Sequence, residues 1–527
     1  MKSRLTLLVL PLLLLPACGR RPRAQSVLLV CLDTTRADFV DCGEGSRAWT
    51  PELRRFAASA WVFAEAYSPI PQTLPAHLAA LSGLLPHQLG VFGNEQAYDG
   101  RRPLLAQALR RRGWETAAVV SLGTLGRESG FARGFASFSE PPAGSREFFV
   151  AADRVSDLAI EQLRRLCGRP FFLFAHYSDP HSPYAPPGLA ARFTVELDGR
   201  PLAEFNAYTG AFLRLRRGLS RGAHRLLLRA EVPAGDVDHF ILRRLRVGRG
   251  TIGDLRQLEY SAAEYEGAHI MRGGEAEAVI RCTGSGELQL FQVIPVLTAR
   301  AALEYYRREV EFLDRQLGRL LRALDEGPDG PRTAVVIFAD HGEGLGERER
   351  YTGHVRFLNR QFIHVPLLVR LPGERPRRFS RPVGLNLIAP WLLEALGIGD
   401  ALVPPAAVSL ADLRRGRENR APVLSFTFAP AAACDRCSVI RWPYQLIINR
   451  DASGAETREW YDLRLDCSRR LASLPADILS RRDPGLMRRF EESRPLWRAA
   501  FARAAGGPPV PAGQLEKLKT LGYLATP

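Results

Sequence analysis

The chain has 527 residues, of which 46% are hydrophobic and 24% are charged, the balance of an ordinary globular protein. This length favours one large domain with smaller ones beside it over a single small domain. The formal net charge of +16 comes from basic residues scattered along the chain. No basic block interleaved with aromatic residues occurs, so the composition argues against a nucleic-acid-binding protein.

The N-terminus has the pattern of an export signal. A basic start is followed by an apolar run from Leu5 to Pro16 and then by Cys18. The run is shorter than the ~20 residues of a membrane-spanning helix, so residues 1–18 are predicted to be a signal peptide. Its ending resembles a bacterial lipobox, although Pro16 is uncommon there; cleavage without lipidation and a buried or single-pass helix stay open. We expect an exported protein of the bacterial cell envelope, anchored to the membrane by lipidated Cys18 on the periplasmic or surface side.

The chain has eight cysteines, and removing Cys18 leaves an odd number. Export permits disulfides. Cys434 and Cys437 have CxxC spacing, but no second pair completes a zinc site, so a local disulfide and two unpaired thiols are both open. Cys31 lies within an apolar run and is predicted to be a small buried residue.

The first predicted element is SVLLVCLD, residues 26–33, which has the pattern of a buried parallel strand ending at Asp33. A helix with Thr50 as N-cap is predicted over TPELRRFAASAWVF, residues 50–63. A helix from about residue 104 and the short strand TAAVVS follow. Further apolar strands are predicted at residues 170–175, at the start of 332–346, and within 364–373.

Apolar strands that alternate with helices predict an α/β fold, a mostly parallel sheet flanked by helices, formed by residues 26–187 and 300–421. In such sheets ligands bind at the carboxyl ends of the strands. Asp33, the loop from His176 to His181, and Asp340-His341 all follow predicted strands. We therefore expect one active site at this edge of the sheet.

The pattern changes between residues 188 and 299. RFTVELDGRPL alternates around an Asp-Gly hairpin signal, and several short strands separated by turn residues follow it. These features predict an inserted antiparallel β-sandwich. Residues 422–527 are predicted to form a C-terminal α+β subdomain with a small antiparallel sheet and a short helix ending near Gly522.

Residues that suit metal chemistry occur at the predicted strand ends. Asp33, Asp340 and His341 offer carboxylate and imidazole ligands for a divalent cation. Thr73, in QTLPAH, is predicted to lie at the start of a helix, where backbone N–H groups favour an anion. A cation would turn its weakly acidic hydroxyl into a nucleophile. A simple N-capping role for Thr73 is the alternative.

Several blocks together resemble the sulfatase family of the alkaline phosphatase superfamily. They cover most of residues 26–188 and 300–527, and the insert lies outside them; the blocks are VLLVCLDTTRADF, PIPQTLPAHLAALSG, HYSDPHSPY, VIFADHGEGLGE, TGH, HVPLLVRLPG, EWYDLRLD and LKTLGYL. The resemblance implies an alkaline phosphatase-like fold. It also implies site residues, namely the metal ligands Asp33, Asp340 and His341, Thr73 as nucleophile and further ligand, His181 and His354 near the leaving group, and His77 in place of the usual arginine.

The chain departs from that family at informative positions. Formylglycine sulfatases need Cys or Ser where this chain has Thr73, so no formylglycine is expected. Thr34 replaces the second acidic residue of the usual Asp-Asp pair. The resulting set is similar to that of the phosphoethanolamine and phosphoglycerol transferases, which use a threonine nucleophile and one metal. A divalent metal, zinc, manganese or calcium, is expected, with zinc or manganese preferred.

Two functional hypotheses follow. The first is a sulfatase-family, metal-dependent hydrolase or transferase that acts on sulfate or phosphate esters through metal-activated Thr73, with phosphoryl chemistry preferred. Its substrate would be an anionic ester of a glycan, a lipid head group or a small molecule. The second is a catalytically decayed lipoprotein that binds glycan or protein through its β-insert. Among the other histidines, His87 and His364 are interpreted as structural, and His176 is left open.

Overall fold

The structure is a computed structural model, and it describes most of the chain between residues 24 and 495. The described ranges are 24–42, 49–141, 149–182, 184–188, 192–206, 215–231, 237–243, 246–253, 258–260, 269–272, 275–290, 292–348, 351–398, 408–429, 434–451, 453–465 and 485–495. The predictions for Cys18 and for the helix near Gly522 lie outside these ranges. Among the described residues, no helix combines the length and the apolar composition needed to cross a bilayer.

The centre of the fold is an eight-stranded sheet. Its strands are β1 (Ser26–Leu32), β2 (Trp61–Phe63), β3 (Glu115–Val120), β4 (Ser137–Ser139), β5 (Phe171–Tyr177), β6 (Thr333–Phe338), β7 (Leu367–Arg370) and β8 (Arg377–Phe379). The strand order is β8-β2-β7-β6-β1-β5-β3-β4. Only β7 pairs with its neighbours in the antiparallel sense. The expectation of a mostly parallel α/β sheet is therefore confirmed.

Ten helices are described around this sheet and beside the other sheets. They are α1 (Pro51–Ala57), α2 (Thr73–Ser82), α3 (Pro86–Leu89), α4 (Leu105–Arg110), α5 (Ala152–Leu166), α6 (Ala299–Asp325), α7 (Arg360–Ile363), α8 (Ile388–Leu396), α9 (Leu410–Arg414) and α10 (Leu486–Glu491). Helices α1 and α5 both pack on α6, whereas α2 packs on α4 and α8. β1, β5 and β6 are buried along their whole lengths, as their apolar sequences predict.

The predicted helix over residues 50–63 is wrong in its second half. Helix α1 ends at Ala57, and Trp61–Phe63 forms strand β2. This strand pairs with β7 and β8, so pairing with distant strands overrides the local helical pattern. Thr50 precedes α1 as expected, but its hydroxyl accepts a hydrogen bond from the Asp41 amide (2.8 Å) instead of capping the helix.

The segment between β5 and α6 contributes two antiparallel sheets. The first holds strands Arg192–Leu197, Arg200–Asn206, Leu215–Leu219, Gly222–Glu231, Arg246–Gly253 and Glu275–Leu290. The second holds strands Val237–Arg243, Leu258–Tyr260, His269–Arg272 and Gln292–Leu297. The Asp-Gly signal is a hairpin turn, because Asp198 and Gly199 both have left-handed φ angles, 52° and 72°.

The C-terminal part contains the expected antiparallel sheet. Its four strands are Val423–Ala429, Cys434–Arg441, Tyr444–Asp451 and Glu456–Asp462. Two smaller sheets complete the fold, one of Gly344–Leu345 with Thr352–Gly353, the other of His364–Val365, Ala66–Tyr67 and Val383–Gly384. Cys437 is a buried free thiol. Cys31 is also free and fully buried, as predicted.

Candidate active site

Two carboxylates meet where adjacent parallel strands end. β1 lies between β6 and β5 in the sheet, so the residues that follow β1 and β6 emerge side by side. Asp340 Oδ1 accepts hydrogen bonds from the amides of His341 (2.8 Å) and Thr34 (3.2 Å). His341 Nε2 lies 3.3 Å from Asp340 Oδ2 and 3.8 Å from Asp33 Oδ1. The structure thus brings together the three residues predicted to be metal ligands.

Thr34 turns the chain sharply after Asp33. Its φ angle is +57°, a left-handed conformation that is an outlier for a β-branched residue. The turn aims its amide at Asp340, while its hydroxyl donates to the carbonyl of Asp33 (2.7 Å). Thr34 therefore occupies the position at which the sulfatase resemblance implies a second acidic residue. Its hydroxyl is bonded to the preceding backbone carbonyl in the same loop.

The loop after β1 is also tied to the loop after β6. The buried Arg36 guanidinium donates to the carbonyl of Glu343 (3.2 Å) and forms an ion pair with Glu347. Its other nitrogens bind both carboxylate oxygens of Asp38 (2.8 and 2.9 Å). Because the buried guanidinium of Arg36 binds residues of both loops, the side chains of the two loops keep a fixed relative position.

Thr73 is the first residue of α2, and its hydroxyl faces the acidic centre. Gln72 is the N-cap and makes no side-chain capping bond, so the interpretation of Thr73 as a simple N-cap is wrong. Thr73 Oγ1 lies 3.4 Å from His341 Nε2. The side chain is fully buried, and the next amide, of Leu74, is bound by Asn94 Oδ1 (2.8 Å).

His77 lies one helical turn further along α2. Its Nδ1 is 2.7 Å from the carbonyl oxygen of Thr73 and 3.5 Å from Asp340 Oδ2. Burial, and then the charge of His176, lower the pKa of His77 well below its ordinary value. The ring is therefore neutral near pH 7, and its proton sits on Nδ1, where an oxygen can accept it.

His354 and His181 continue the site beyond His341. The rings of His341 and His354 are 4.2 Å apart between centroids, and those of His354 and His181 are 5.1 Å apart. Burial lowers the pKa of His354 to about 3 and the pKa of His181 to about 4. Both rings are neutral near pH 7 until a negative charge arrives beside them.

Glu343 was not predicted from the sequence. Its carboxylate Oε2 lies 3.1 Å from His354 Nδ1, and burial raises the pKa of Glu343 to about 8. The signal was its position in ADHGEG, three residues after Asp340, but that spacing alone does not show which side chain the carboxylate reaches.

His176, left open by the sequence, belongs to this cluster as well. It lies on β5 opposite Cys31 of β1, and its Nε2 is 3.2 Å from Asp33 Oδ2. The histidines interpreted as structural lie elsewhere. The ring of His87 packs against that of Phe426, and His364 Nε2 lies 2.9 Å from the carbonyl oxygen of Ala64.

The acidic centre has the properties of a cation site. Neither carboxylate oxygen of Asp33 nor Oδ2 of Asp340 has a hydrogen-bond donor, although both side chains are fully buried. Such burial is costly for a carboxylate without a compensating charge, and it raises the pKa of both groups in the metal-free protein. One ligand atom from each of Asp33, Asp340 and His341 lies within 4.8 Å of the others. These residues fit a divalent cation, and the Thr73 hydroxyl faces the same centre.

Comparisons with known proteins agree on one family. A family model described as Sulfatase matches residues 25–398. An N-acetylglucosamine-6-O-sulfatase of Bacteroides thetaiotaomicron is 22% identical over 426 residues, which cover 76% of this chain and 73% of that protein.

Solved structures share the fold across nearly the whole chain. A protein in complex with its substrate, D-glucosamine-2-N,6-O-disulfate, aligns with a TM-score of 0.60 at 16% identity, covering 91% of this chain and 98% of that one. A phosphonate monoester hydrolase of Agrobacterium radiobacter aligns with a TM-score of 0.56 at 18% identity, covering 92% of this chain and 96% of that one.

Proposed function

Because the chain belongs to the sulfatase family, whose relatives are sulfuric ester hydrolases, we propose that it cleaves anionic esters by covalent catalysis through Thr73, with phosphate esters preferred over sulfate esters. The observation that carries the proposal is the Thr73 hydroxyl, buried at the N-terminus of α2 and 3.4 Å from His341 Nε2. A nucleophile is needed at this place, and no other hydroxyl among the described residues has the same position relative to His341.

The identity of this residue sets the chemistry. Threonine bears a secondary alcohol, and its oxidation would give a ketone, so Thr73 cannot become the aldehyde on which formylglycine sulfatases depend. The hydroxyl itself must attack, forming a bond to phosphorus or sulfur while the leaving oxygen departs with its electron pair. Water or an acceptor alcohol then cleaves the ester on Thr73 and restores the hydroxyl. The preference for a phosphoryl group rests on the resemblance to the threonine-dependent transferases, which transfer such a group by in-line displacement.

Asp33, Asp340 and His341 would hold the divalent cation, of which zinc and manganese suit the ligand set best. When bound, the cation would favour the ionised form of the Thr73 hydroxyl and neutralise the oxygens of the transferred group. The protein side of this arrangement is preorganised, because backbone amides orient Asp340 and the position of Thr73 is fixed by α2.

His354 and His181 are the candidates for protonating the leaving oxygen. With Glu343 ionised, His354 donates from Nδ1 to its carboxylate, so Nε2 is the atom that can exchange a proton with a substrate. The low pKa of both rings in the free protein means that they gain a proton only when an anionic ester lies beside them. Substrate charge and acid catalysis would thus be coupled.

The substrate is an anionic ester of a glycan, a lipid head group or a small molecule. The glycan option is supported by the relative named as an N-acetylglucosamine-6-O-sulfatase. Lipidation of Cys18 would hold the enzyme at the bacterial envelope. The alternative, a decayed binding lipoprotein, gives no reason for a set of buried ligands in which both carboxylate oxygens of Asp33 and Oδ2 of Asp340 have no donor.

The test is intact-mass spectrometry after incubation with aryl phosphate, phosphonate, phosphodiester and sulfate esters. We expect a covalent adduct on the wild type with a phosphorus ester and none on Thr73→Ala. An adduct with sulfate esters alone would overturn the phosphoryl preference. No turnover of any member with zinc, manganese or calcium present would favour the binding lipoprotein.

A further inference from the structure

A second group of metal-ligating side chains lies directly behind the acidic centre. It consists of Cys31, His77 and His176, all fully buried. Cys31 lies on β1, two residues before Asp33. His176 is the register partner of Cys31 on β5, and His77 approaches from α2. One ligand atom from each of the three lies within 4.8 Å of the others.

Both histidines have one ring nitrogen that carries no proton. His77 Nδ1 lies 2.7 Å from the Thr73 carbonyl oxygen, which can only accept a hydrogen bond, so Nδ1 carries the proton. His176 Nδ1 lies 3.0 Å from Ser121 Oγ. That hydroxyl donates its own proton to Ser178 Oγ (2.7 Å) and therefore accepts from His176. In each ring the remaining nitrogen, Nε2, carries a lone pair.

These two nitrogens have no hydrogen-bond donor within reach. His77 Nε2 and His176 Nε2 are both buried without a hydrogen bond. Moreover, His176 Nε2 faces Asp33 Oδ2 at 3.2 Å, so a lone pair meets a carboxylate that also has no donor. Two acceptors at this distance repel each other unless a proton or a metal cation lies between them. Fixing one imidazole nitrogen by an oxygen and leaving the other for a metal is the usual arrangement at metal-binding histidines.

We propose that Cys31, His77 and His176 hold a second divalent cation of the zinc class, with Asp33 Oδ2 as the fourth ligand. Thiolate, imidazole and carboxylate are the ligands that zinc takes in tetrahedral sites. With bonds of about 2.0–2.1 Å, a nitrogen and an oxygen on one tetrahedral zinc lie about 3.3 Å apart, close to the 3.2 Å between His176 Nε2 and Asp33 Oδ2. The ligand atoms of Cys31, His77 and His176 lie within 4.8 Å of one another.

Asp33 then belongs to both groups. Its Oδ1 faces His341 (3.8 Å) and its Oδ2 faces His176 (3.2 Å), so one carboxylate would bridge two cations. Asp33, Asp340 and the Cys31 thiolate carry three negative charges, and two dications leave the centre with one net positive charge. That balance suits an anionic ester better than a neutral centre does. This second cation, with its own ligands, is not required by the function proposed above.

The experiment counts ions on the untagged full-length chain without measuring turnover. Protein is stripped with a chelator, reloaded with Zn²⁺, freed of loosely bound metal and analysed by inductively coupled plasma mass spectrometry. We expect two zinc ions per wild-type chain and one in Cys31→Ser and His176→Gln. Cys437→Ser is the matched control, because Cys437 is also a buried free thiol, and it should keep both ions.

Loading with Co²⁺ identifies the ligand. A thiolate bound to Co²⁺ gives a near-ultraviolet charge-transfer absorption, which we expect in the wild type and in Cys437→Ser but not in Cys31→Ser. One ion per wild-type chain, or a wild-type cobalt protein without this absorption, would overturn the proposal, and so would an absorption that persists in Cys31→Ser. The wild-type results decide the matter even if a variant fails to fold. Two ions with no turnover would leave this inference standing and count against the proposed function.

Discussion

Replacing Thr73 by alanine removes the proposed nucleophile and little else. The side chain is fully buried and its oxygen lies 3.4 Å from His341 Nε2. The substitution deletes one methyl-sized group and a hydroxyl with no capping role. We expect it to lower the free energy of unfolding by about 1–2 kcal/mol, which leaves the protein folded at assay temperature.

The effect on turnover should be much larger. Without the oxygen no covalent intermediate can form, and we expect kcat/KM to fall at least about 1000-fold, equivalent to about 4 kcal/mol of transition-state stabilisation. Thr73→Ser is the matched control. It keeps the oxygen but loses a buried methyl and the χ1 restriction of a β-branched residue, so we expect it to retain activity within about tenfold.

Initial rates are measured with the phosphorus ester that the wild type turns over fastest, alongside metal content and thermal unfolding. If Thr73 is the nucleophile, Thr73→Ala binds metal and unfolds near the wild-type temperature while its rate collapses. If Thr73→Ala keeps activity within tenfold of the wild type, or if Thr73→Ser loses as much as alanine, the hydroxyl is not the nucleophile.

Three further predictions concern the acidic centre and its neighbours. Asp340→Asn should weaken metal binding by about 100-fold or more and reduce turnover with it. The control is Asp153→Asn at an exposed position, which should change neither property. Metal affinity is measured by chelator competition, and equal affinity in the two variants would contradict the assignment of Asp340 as a ligand. Above about pH 8, where the buried Glu343 is ionised, Glu343→Gln removes the charge beside His354 Nδ1, so kcat should fall about 10- to 100-fold there. The loss should be greater for esters with poor leaving groups than for nitrophenyl esters, and an equal loss across leaving groups would assign Glu343 a purely structural role. The last prediction concerns metal removal and pH. Burial raises the pKa of Asp33 and of Glu343 to about 8, so the metal-free folded state holds protons that the unfolded state has already released. Its stability therefore falls as pH rises from 7 to 8, by about 1 kcal/mol per group. Since a cation would keep Asp33 ionised, chelation should lower the unfolding temperature more at pH 8 than at pH 7, and an equal effect at both values would contradict the assigned cause.

The sequence predicts which residues at the strand ends form the site better than it predicts the contacts among their side chains. Asp33 and Asp340 can be found because each follows an uninterrupted apolar run, and runs of that kind become adjacent parallel strands. Thr73 is found by its place before a helical pattern. His354 follows no readable strand, and only the resemblance to sulfatases drew attention to it.

What could not be predicted depends on contacts between distant segments. The meeting of His176 with Asp33 requires the register between β1 and β5, and the bond between Glu343 and His354 requires the path of the loop after β6. The left-handed φ angle of Thr34 could not be predicted from the sequence, because β-branched residues seldom adopt this conformation. The strand Trp61–Phe63 was mistaken for a helix because its partners lie some 300 residues away.

The strand order has a consequence for how the protein is made. β1 lies between β5 and β6, but β6 begins at Thr333, after the whole inserted segment. A nascent chain that has emerged only as far as β5 therefore has one edge of β1 unpaired and half of the cation ligands missing. Because contacts so distant in sequence form late, the proposed cation site can form only after residues 340 and 341 have joined the sheet. Until then, β1 is an open apolar edge that must be kept from pairing with another chain.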